Sequence, residues 1–327
     1  MRPPSLLRAA SALVAAAALG AAQPPVSPNP QPIIGILTMP NTEYDALHGA
    51  QFFPASYVKF LESGGARVVP IRYDAPAAAT RDLLRQINGA LFTGGAAAFF
   101  EADGVTLTQY AATASIVFNE SEAAAAAGES GPLWGTCLGH QLISVLGAGA
   151  DGSVLTGGFD AENLTLAVDW TGAAPASRLW GPAPDVRARL AGGRIAMNAH
   201  SFGVTPANFA SNKKLSARFT VLATQTDRKG QVFTAAQEHQ GGVPIFSTQW
   251  HPEKSMFEWP VPSTEFIAHN LSAVLAAHWP AASFVSFATS SRKFDSPAAE
   301  YNALIYNYSP VYGLSSMFEQ FYFFPAS

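Results

Sequence analysis

The chain contains one cysteine, and the residues around it are typical of a turn that presents a nucleophile. Cys137 lies in the run Trp134-Gly135-Thr136-Cys137-Leu138-Gly139-His140-Gln141, after a predicted strand at Pro132–Thr136 and before a predicted helix at Leu138–Leu146. Flanking glycines allow the strained strand-to-helix turn of a nucleophile elbow. The start of a helix also favours the thiolate form. We therefore predict that Cys137 is a catalytic nucleophile; the alternative is a small, buried apolar residue.

A thiolate nucleophile needs a proton shuttle and a group that orients the shuttle. The run Gln249-Trp250-His251-Pro252-Glu253-Lys254 follows a predicted strand at Pro244–Gln249, so His251 should lie at the carboxyl end of that strand. The carboxylate of Glu253, two residues later, can accept a hydrogen bond from the imidazole and fix its tautomer. We predict these two roles for His251 and Glu253. The alternatives are a surface-loop histidine and a solvated acid.

Acyl transfer through a cysteine also needs hydrogen-bond donors for the developing oxyanion. The backbone N–H of Leu138, directly after the nucleophile, is the first candidate. Gly94 and Gly95 end a predicted strand at Gly89–Thr93, and glycine lets the backbone approach a substrate closely. We predict that Gly95 supplies the second donor; the alternative is a simple turn.

Strands and helices are predicted to alternate through the first half of the chain. Apolar runs predict strands at Ile33–Thr38 and Arg67–Tyr73, in addition to the strands that end at Thr93 and Thr136. Between these strands apolar residues recur at helical spacing, and an alanine-rich helix is predicted at Tyr110–Ala127. This alternation predicts a single α/β domain with a doubly wound, mostly parallel, flavodoxin-like sheet.

The second half is predicted to add strands and then a helix. Strand-like runs occur at Phe219–Thr224 and Val232–Ala236, before the strand that leads to His251. A helix is predicted from about Ser263 to Ala277, followed by a surface segment at Ala281–Ala299. The tail beyond residue 300 is rich in aromatic residues, so we expect it to pack back onto the domain.

The two motifs resemble those of class I glutamine amidotransferases, and longer segments resemble gamma-glutamyl hydrolases more closely. These segments are Pro32–Leu37, Ala55–Pro70, Ile87–Phe92, Gln249–Lys254, Ala303–Tyr306 and Ser309–Tyr312, so that the resemblance spans about residues 32–325. It implies a class I glutamine amidotransferase-like fold and cleavage of folylpoly-gamma-glutamates by a Cys-His-Glu set. It also implies a small-molecule substrate, no metal or other cofactor, and the option of a homodimer.

The resemblance also indicates residues on the substrate side of the site. His200, in Met197-Asn198-Ala199-His200-Ser201-Phe202, matches a substrate-side histidine of gamma-glutamyl hydrolases. Gln141 and Gln249, which belong to the two motifs, are expected to bind the substrate with it. Gln141 departs from the family pattern, which has an acidic residue there, and this leaves open how the substrate's α-amino group is held.

The N-terminus predicts entry into the secretory route. Arg2 and Arg8 precede an apolar run at Ala9–Leu19 and small residues up to Ala22, which is the pattern of a signal peptide at residues 1–22. A proline-rich linker follows at 23–32, and the hydrolase domain is predicted at 33–325. The alternatives for the leader are an organellar transit peptide and a disordered tail. We expect a secreted, vacuolar or lysosomal protein.

The composition and net charge of the chain indicate which classes of partner to expect. Of 327 residues, 48% are hydrophobic and 13% charged, with a formal net charge of −4, which suits a folded domain and favours neither nucleic acid nor a membrane surface as partner. Four glycosylation sequons fit the secretory route and begin at Asn119, Asn163, Asn270 and Asn307.

The sequence leaves two rival functions open. A glutaminase that feeds ammonia to a synthetase would use the same catalytic set, but the chain has no segment for a synthetase domain and carries a predicted secretory leader. A non-catalytic secreted binding protein with the same fold would have no need of Cys137, His251 and Glu253 together, and all three are present.

Overall fold

Short apolar runs form the parallel half of a central eight-stranded sheet. The computed structural model describes residues 29–259, 267–315 and 317–327. The strands are β1 (Ile33–Leu37), β2 (Met39–Pro40), β3 (Gln51–Pro54), β4 (Arg67–Ile71), β5 (Gly89–Phe92), β6 (Leu133–Thr136), β7 (Leu155–Gly157), β8 (Leu164–Leu166), β9 (Asp169–Trp170), β10 (Ala196–Asn198), β11 (Phe202–Val204), β12 (Phe219–Thr226), β13 (Val232–His239), β14 (Ile245–Thr248), β15 (Val311–Tyr312) and β16 (Gln320–Phe324).

The central sheet has the order β4-β1-β5-β6-β14-β13-β12-β9. The first five strands of this order are parallel to their neighbours, and the last three are added in antiparallel fashion. Numbered along the chain, the parallel strands stand in the order 2-1-3-4-5, which is the flavodoxin-like order. The predicted α/β fold with a mostly parallel sheet is therefore confirmed.

Helices cover both faces of the sheet. They are α1 (Ala55–Ser63), α2 (Ala77–Leu84), α3 (Gln109–Ala126), α4 (Leu138–Gly147), α5 (Pro184–Gly192), α6 (Pro206–Ser211), α7 (Lys213–Arg218), α8 (Lys254–Phe257), α9 (Leu271–Ser286) and α10 (Pro297–Ala303). Helices α1 and α9 pack together with the buried rings of Phe60, Trp134 and Phe284 on one face. Helices α3 and α4 bury Phe118 and Ile143 in a second cluster. Each face thus has its own apolar core.

Two predictions for the second half are corrected in part: one helix begins later than expected, and the first part of the expected surface segment is buried helix. The helix expected from Ser263 to Ala277 is α9, which begins after Asn270, whose side chain accepts a hydrogen bond from Ala273 N at 3.0 Å. Residues 260–266 lie outside the described part of the chain. The expected surface segment is in its first part the end of α9, where Ala281, Phe284 and Val285 are buried.

The last part of the aromatic tail packs back onto the domain as predicted, whereas Tyr301, Tyr306 and Tyr312 are exposed. Strand β16 pairs with β3, so that Phe321 lies opposite Pro54 and Phe324 opposite Gln51. The rings of Phe52, Phe321 and Phe323 contact one another. Strand β3 leads directly into α1, and the tail therefore buttresses the helix that carries Tyr57. In the described ranges no helix is long and apolar enough to cross a bilayer.

Parallel strands bring three chain segments to the same edge of the sheet. Strand β5 leads into Gly94, β6 into Cys137, and β14 into His251. Because β5, β6 and β14 are adjacent and parallel, their carboxyl ends lie side by side. The crevice outside these ends is where ligands bind in open α/β sheets.

Candidate active site

Cys137 occupies a strained turn between β6 and α4. Its φ is 51° and its ψ is −102°, a backbone region that residues other than glycine rarely adopt. The Cys137 N–H donates to the Thr248 carbonyl at 2.8 Å and so ties the turn to the end of β14. Such strain is typical of a nucleophile elbow, in which the turn holds the reactive side chain above the sheet.

Gly139 lets α4 start directly against the end of β5. Its N–H donates to the Thr93 carbonyl at 3.0 Å, and a Cβ at this position would clash with the Phe92 carbonyl. The close approach matters because it brings the start of α4 next to Gly94 and Gly95. Glycine at this position is therefore a steric requirement of the site.

His251 and Glu253 form a buried pair next to the cysteine. Nδ1 of His251 donates to Oε1 of Glu253 at 2.6 Å, and the two residues are 3% and 0% exposed. The His251 N–H donates to the Met197 carbonyl at 2.8 Å, which fixes the start of the turn. On its other side the imidazole faces Cys137: Cε1 of the ring and Cβ of Cys137 both border Gly94, and the sulfur raises the pKa of the imidazole. The imidazole thus lies between the sulfur and the carboxylate.

The charges around His251 favour its protonated form. Burial lowers the pKa of His251, but the Glu253 carboxylate, the Cys137 sulfur and the hydrogen bonds to both outweigh burial and raise this pKa to about 10. Oε2 of Glu253 is buried and accepts no hydrogen bond from the described residues, so His251 is the main partner of this carboxylate. An imidazolium beside a sulfur atom stabilises a thiolate.

Gly94 borders Cys137, and Gly95 and Leu138 are the residues that follow Gly94 and Cys137 in the chain. A Cβ on Gly94 would lie 2.6 Å from Cε1 of His251 and 3.3 Å from Cβ of Cys137, so only glycine fits there. The Gly94 N–H is already used, because it donates to the Tyr57 hydroxyl at 2.8 Å. Leu138 is the first residue of α4, where backbone N–H groups have no partner within the helix. A Cβ on Gly95 would clash with the side chain of Met39 and would lie 3.8 Å from Leu138 Cδ2.

The three residues predicted on the substrate side lie together. Nε2 of Gln249 donates to Sγ of Cys137 at 3.5 Å, and Nε2 of Gln141 lies 3.4 Å from Oε1 of Gln249. Gln141 Nε2 and His200 Nδ1 both donate to the Phe202 carbonyl, each at 2.8 Å. A chain of side chains therefore runs from the sulfur to His200.

His200 is a neutral base in this arrangement. Burial lowers the pKa of His200 most strongly and His251 lowers it too, so that this pKa falls to about 4 in spite of the raising effects of the hydrogen bond to Phe202 and of Asp227. Because Nδ1 carries the proton that Phe202 accepts, Nε2 is left as an acceptor. Nε2 is buried and makes no hydrogen bond with the described residues, so it is available to a donor from a ligand.

One residue of this site was not predicted from the sequence. Tyr57 lies fully buried in α1, and its hydroxyl lies 3.2 Å from Nδ1 of His251 as well as accepting from Gly94. In the sequence, Tyr57 falls on the apolar face of a helix together with Phe60 and Leu61, which indicates only a core position. No local signal distinguishes a core tyrosine from one whose hydroxyl reaches an active site.

The predicted leader lies outside the described residues, and three of the four predicted sequons begin at exposed asparagines. Residues 1–22 and the first part of the 23–32 linker fall outside the described residues. Asn119, Asn270 and Asn307 are exposed, whereas Asn163 is half-buried and has a φ of 49°.

Known proteins resemble the chain over nearly its whole length. A sequence profile of the peptidase C26 family matches residues 32–253. "Gamma-glutamyl hydrolase B" of Dictyostelium discoideum is 36% identical over 304 residues, which cover 91% of this chain and 84% of the relative. "Gamma-glutamyl hydrolase" of Bos taurus is 36% identical over 317 residues, 95% of each protein, and the Homo sapiens protein of that name is 35% identical over 316 residues, again 95% of each. The chain belongs to the peptidase C26 family.

Proposed function

We propose that this protein is a cysteine hydrolase that cleaves the γ-glutamyl bonds of folylpoly-gamma-glutamates through a thioester on Cys137. The observation that supports it best is the position of the His251 imidazole between the Cys137 sulfur and the Glu253 carboxylate at the carboxyl edge of the sheet. The names of the relatives support the γ-glutamyl bond as the bond that is cleaved.

The first step forms the thioester. The Cys137 thiolate attacks the γ-carbonyl carbon of a glutamyl residue, and the carbonyl oxygen becomes an oxyanion. We assign the N–H groups of Gly95 and Leu138 to this oxyanion, because Leu138 directly follows Cys137 at the start of α4, Gly95 directly follows Gly94, and the Gly94 N–H is already bonded. When the C–N bond breaks, the His251 imidazolium gives its proton to the leaving α-amino group of the next glutamate.

The second step releases the acyl group. His251, now neutral, takes a proton from water, and the hydroxide attacks the thioester carbonyl. Collapse of the second oxyanion returns the electron pair to Cys137 and frees the γ-carboxylate. The Glu253 carboxylate holds Nδ1 of His251 throughout, so that Nε2 faces the reacting atoms in both steps.

We assign substrate binding to the neutral polar groups beside the sulfur. Nε2 of His200 accepts a hydrogen bond from the substrate, because it is a buried acceptor that lacks a donor among the described residues. Gln141 and Gln249 donate to protein atoms through their Nε2 groups, which leaves Oε1 of Gln141 to accept from the α-amide N–H of the glutamyl residue that is attacked.

Incubation with pteroylpentaglutamate tests the function directly. The wild-type protein should shorten the chain to products that chromatography separates, and Cys137→Ala protein should serve as the inactive blank. Free glutamine, offered separately, is the comparison substrate. Should the wild-type protein hydrolyse glutamine and leave pteroylpentaglutamate uncut, the folate substrate is excluded and a glutaminase remains.

We also propose that the protein follows the secretory route to the outside of the cell, a vacuole or a lysosome. The predicted signal peptide at 1–22 and the exposed sequons at Asn119, Asn270 and Asn307 support this. Expression of the full chain in a eukaryotic cell should give protein that starts near Gln23 and loses mass on treatment with an endoglycosidase. Retention in the cytosol with residues 1–22 intact would contradict the proposal. The homodimer stays a prediction.

A further inference from the structure

The hydroxyl of Tyr57 contacts both halves of the catalytic machinery. It accepts the Gly94 N–H at 2.8 Å and lies 3.2 Å from Nδ1 of His251. It also interacts with the carboxylate of Glu253. Tyr57 is 0% exposed, so water does not compete for these contacts.

The direction of the hydrogen bond between Gly94 and Tyr57 follows from the two groups that form it. The Gly94 N–H can only donate, so the hydroxyl oxygen accepts from it. The pKa of Tyr57 is raised well above its ordinary value, first by burial and then by the charges of Glu253 and Cys137, so the hydroxyl keeps its proton. The proton of Nδ1 of His251 is directed to Glu253, so the hydroxyl cannot donate to Nδ1, and the 3.2 Å approach of these two atoms is a packing contact.

The contact fixes the backbone next to the oxyanion position. The hydrogen bond to Tyr57 fixes the orientation of the peptide N–H of Gly94. A Cβ at Gly94 would lie only 2.7 Å from the hydroxyl oxygen. The next N–H in the chain is that of Gly95, which we assign to the oxyanion. The orientation of the Gly94–Gly95 segment is thus set by a side chain of α1, and glycine by itself would not impose it.

We propose that Tyr57 is a positioning residue whose hydroxyl holds the Gly94–Gly95 backbone beside the His251–Glu253 pair, so that the oxyanion donor faces the carbonyl that the proton shuttle serves. The proposal rests on the hydrolase function given above and assigns a further residue to it. Such a residue acts on the transition state and only slightly on the bound substrate, because the oxyanion exists only after attack.

The test is Tyr57→Phe, which removes one oxygen atom and keeps the ring. Loss of a single oxyanion donor costs about 10²- to 10³-fold in kcat, and a loosened donor should cost less, about 10- to 100-fold. We expect KM to stay within about 3-fold of wild type, since ground-state binding is retained. Alkylation of Cys137 by iodoacetamide needs no oxyanion donor, so its rate should also stay within about 3-fold.

Tyr110→Phe is the matched control. Tyr110 is another buried tyrosine, 2% exposed, and its hydroxyl makes no hydrogen bond with the described residues. This variant should keep wild-type kcat and KM, which shows that loss of a buried hydroxyl alone does not impair the enzyme. Melting temperatures of both variants separate a positioning effect from loss of folded protein.

Each outcome decides the proposal. A selective fall in kcat for Tyr57→Phe, with KM and alkylation unchanged, supports it. An unchanged kcat overturns the positioning role, and so does a fall that is matched by slower alkylation or by equal loss in Tyr110→Phe. A wild-type protein that cleaves neither pteroylpentaglutamate nor glutamine overturns both this proposal and the proposed function, whereas an active wild type with an equally active Tyr57→Phe overturns the positioning role alone.

Discussion

Replacement of Cys137 by alanine is expected to lower kcat for γ-glutamyl cleavage by about 10⁴-fold or more. Removal of a covalent nucleophile costs on the order of 10⁴- to 10⁶-fold, because no other group at the site can form the acyl intermediate. Cys137 is the only cysteine of the chain, so no second thiol can substitute for it. The measurement is the initial rate of product release from pteroylpentaglutamate.

The fold of this variant should be preserved. Alanine keeps the Cβ and the backbone groups of residue 137, and the N–H that donates to the Thr248 carbonyl is retained. The melting temperature should therefore stay close to that of the wild type. A folded Cys137→Ala protein with more than about one hundredth of the wild-type rate would show that catalysis does not pass through the sulfur, since loss of an essential nucleophile leaves far less.

Replacement of Glu253 by glutamine should reduce kcat by about 10²- to 10⁴-fold and narrow the pH range of activity. Against the lowering effect of burial, the Glu253 carboxylate is the first of the groups that together raise the pKa of His251 to about 10, and Cys137 is the other. Without the Glu253 charge this pKa falls, so the imidazolium loses its proton at a lower pH. Because the thiolate loses its cationic partner as the pH rises, the basic limb of the pH–kcat/KM profile should move toward acid.

Glu258→Gln is the control for a buried carboxylate that is not bonded to His251. Glu258 is 1% exposed, and its Oε2 accepts the Glu319 N–H at 2.6 Å. Burial raises the pKa of Glu258 to about 7, so the neutral form is already accessible in the folded protein. This variant should keep activity within about 3-fold and keep the basic limb in place, because the Glu253 carboxylate that sets the His251 pKa is untouched. A basic limb that stays unchanged in Glu253→Gln would contradict the assigned role of Glu253.

The candidate catalytic residues could be predicted because their signals are local. Gly135 and Gly139 flank Cys137 within five residues of sequence, and Glu253 follows His251 by two. Adjacent parallel strands then bring the distant segments to one edge without any further information. Where the site depends on contacts between distant elements, sequence reasoning failed, as with Tyr57, which is 194 residues from His251.

The errors in the predicted fold arise where the local sequence pattern is weak. The end of α9 was mistaken for a surface segment because Ser and Ala give weak apolar periodicity and Pro280 stands within the helix. Proline removes one helical hydrogen bond, but burial of Ala281, Phe284 and Val285 against the sheet offsets this cost. The short strands β7, β8 and β10 have only three residues each, too few for alternation to be recognised.

Trapping with hydroxylamine tests most directly whether the γ-glutamyl group passes through a thioester on Cys137. Hydroxylamine competes with water for a thioester, so the wild-type protein should convert pteroylpentaglutamate partly to a γ-glutamyl hydroxamate, in proportion to the hydroxylamine present. Release of the leaving amine should continue, and Cys137→Ala protein should form no hydroxamate. Normal cleavage by the wild type without any hydroxamate, over the whole range of hydroxylamine concentration, would mean that water attacks the substrate directly and would contradict the covalent mechanism.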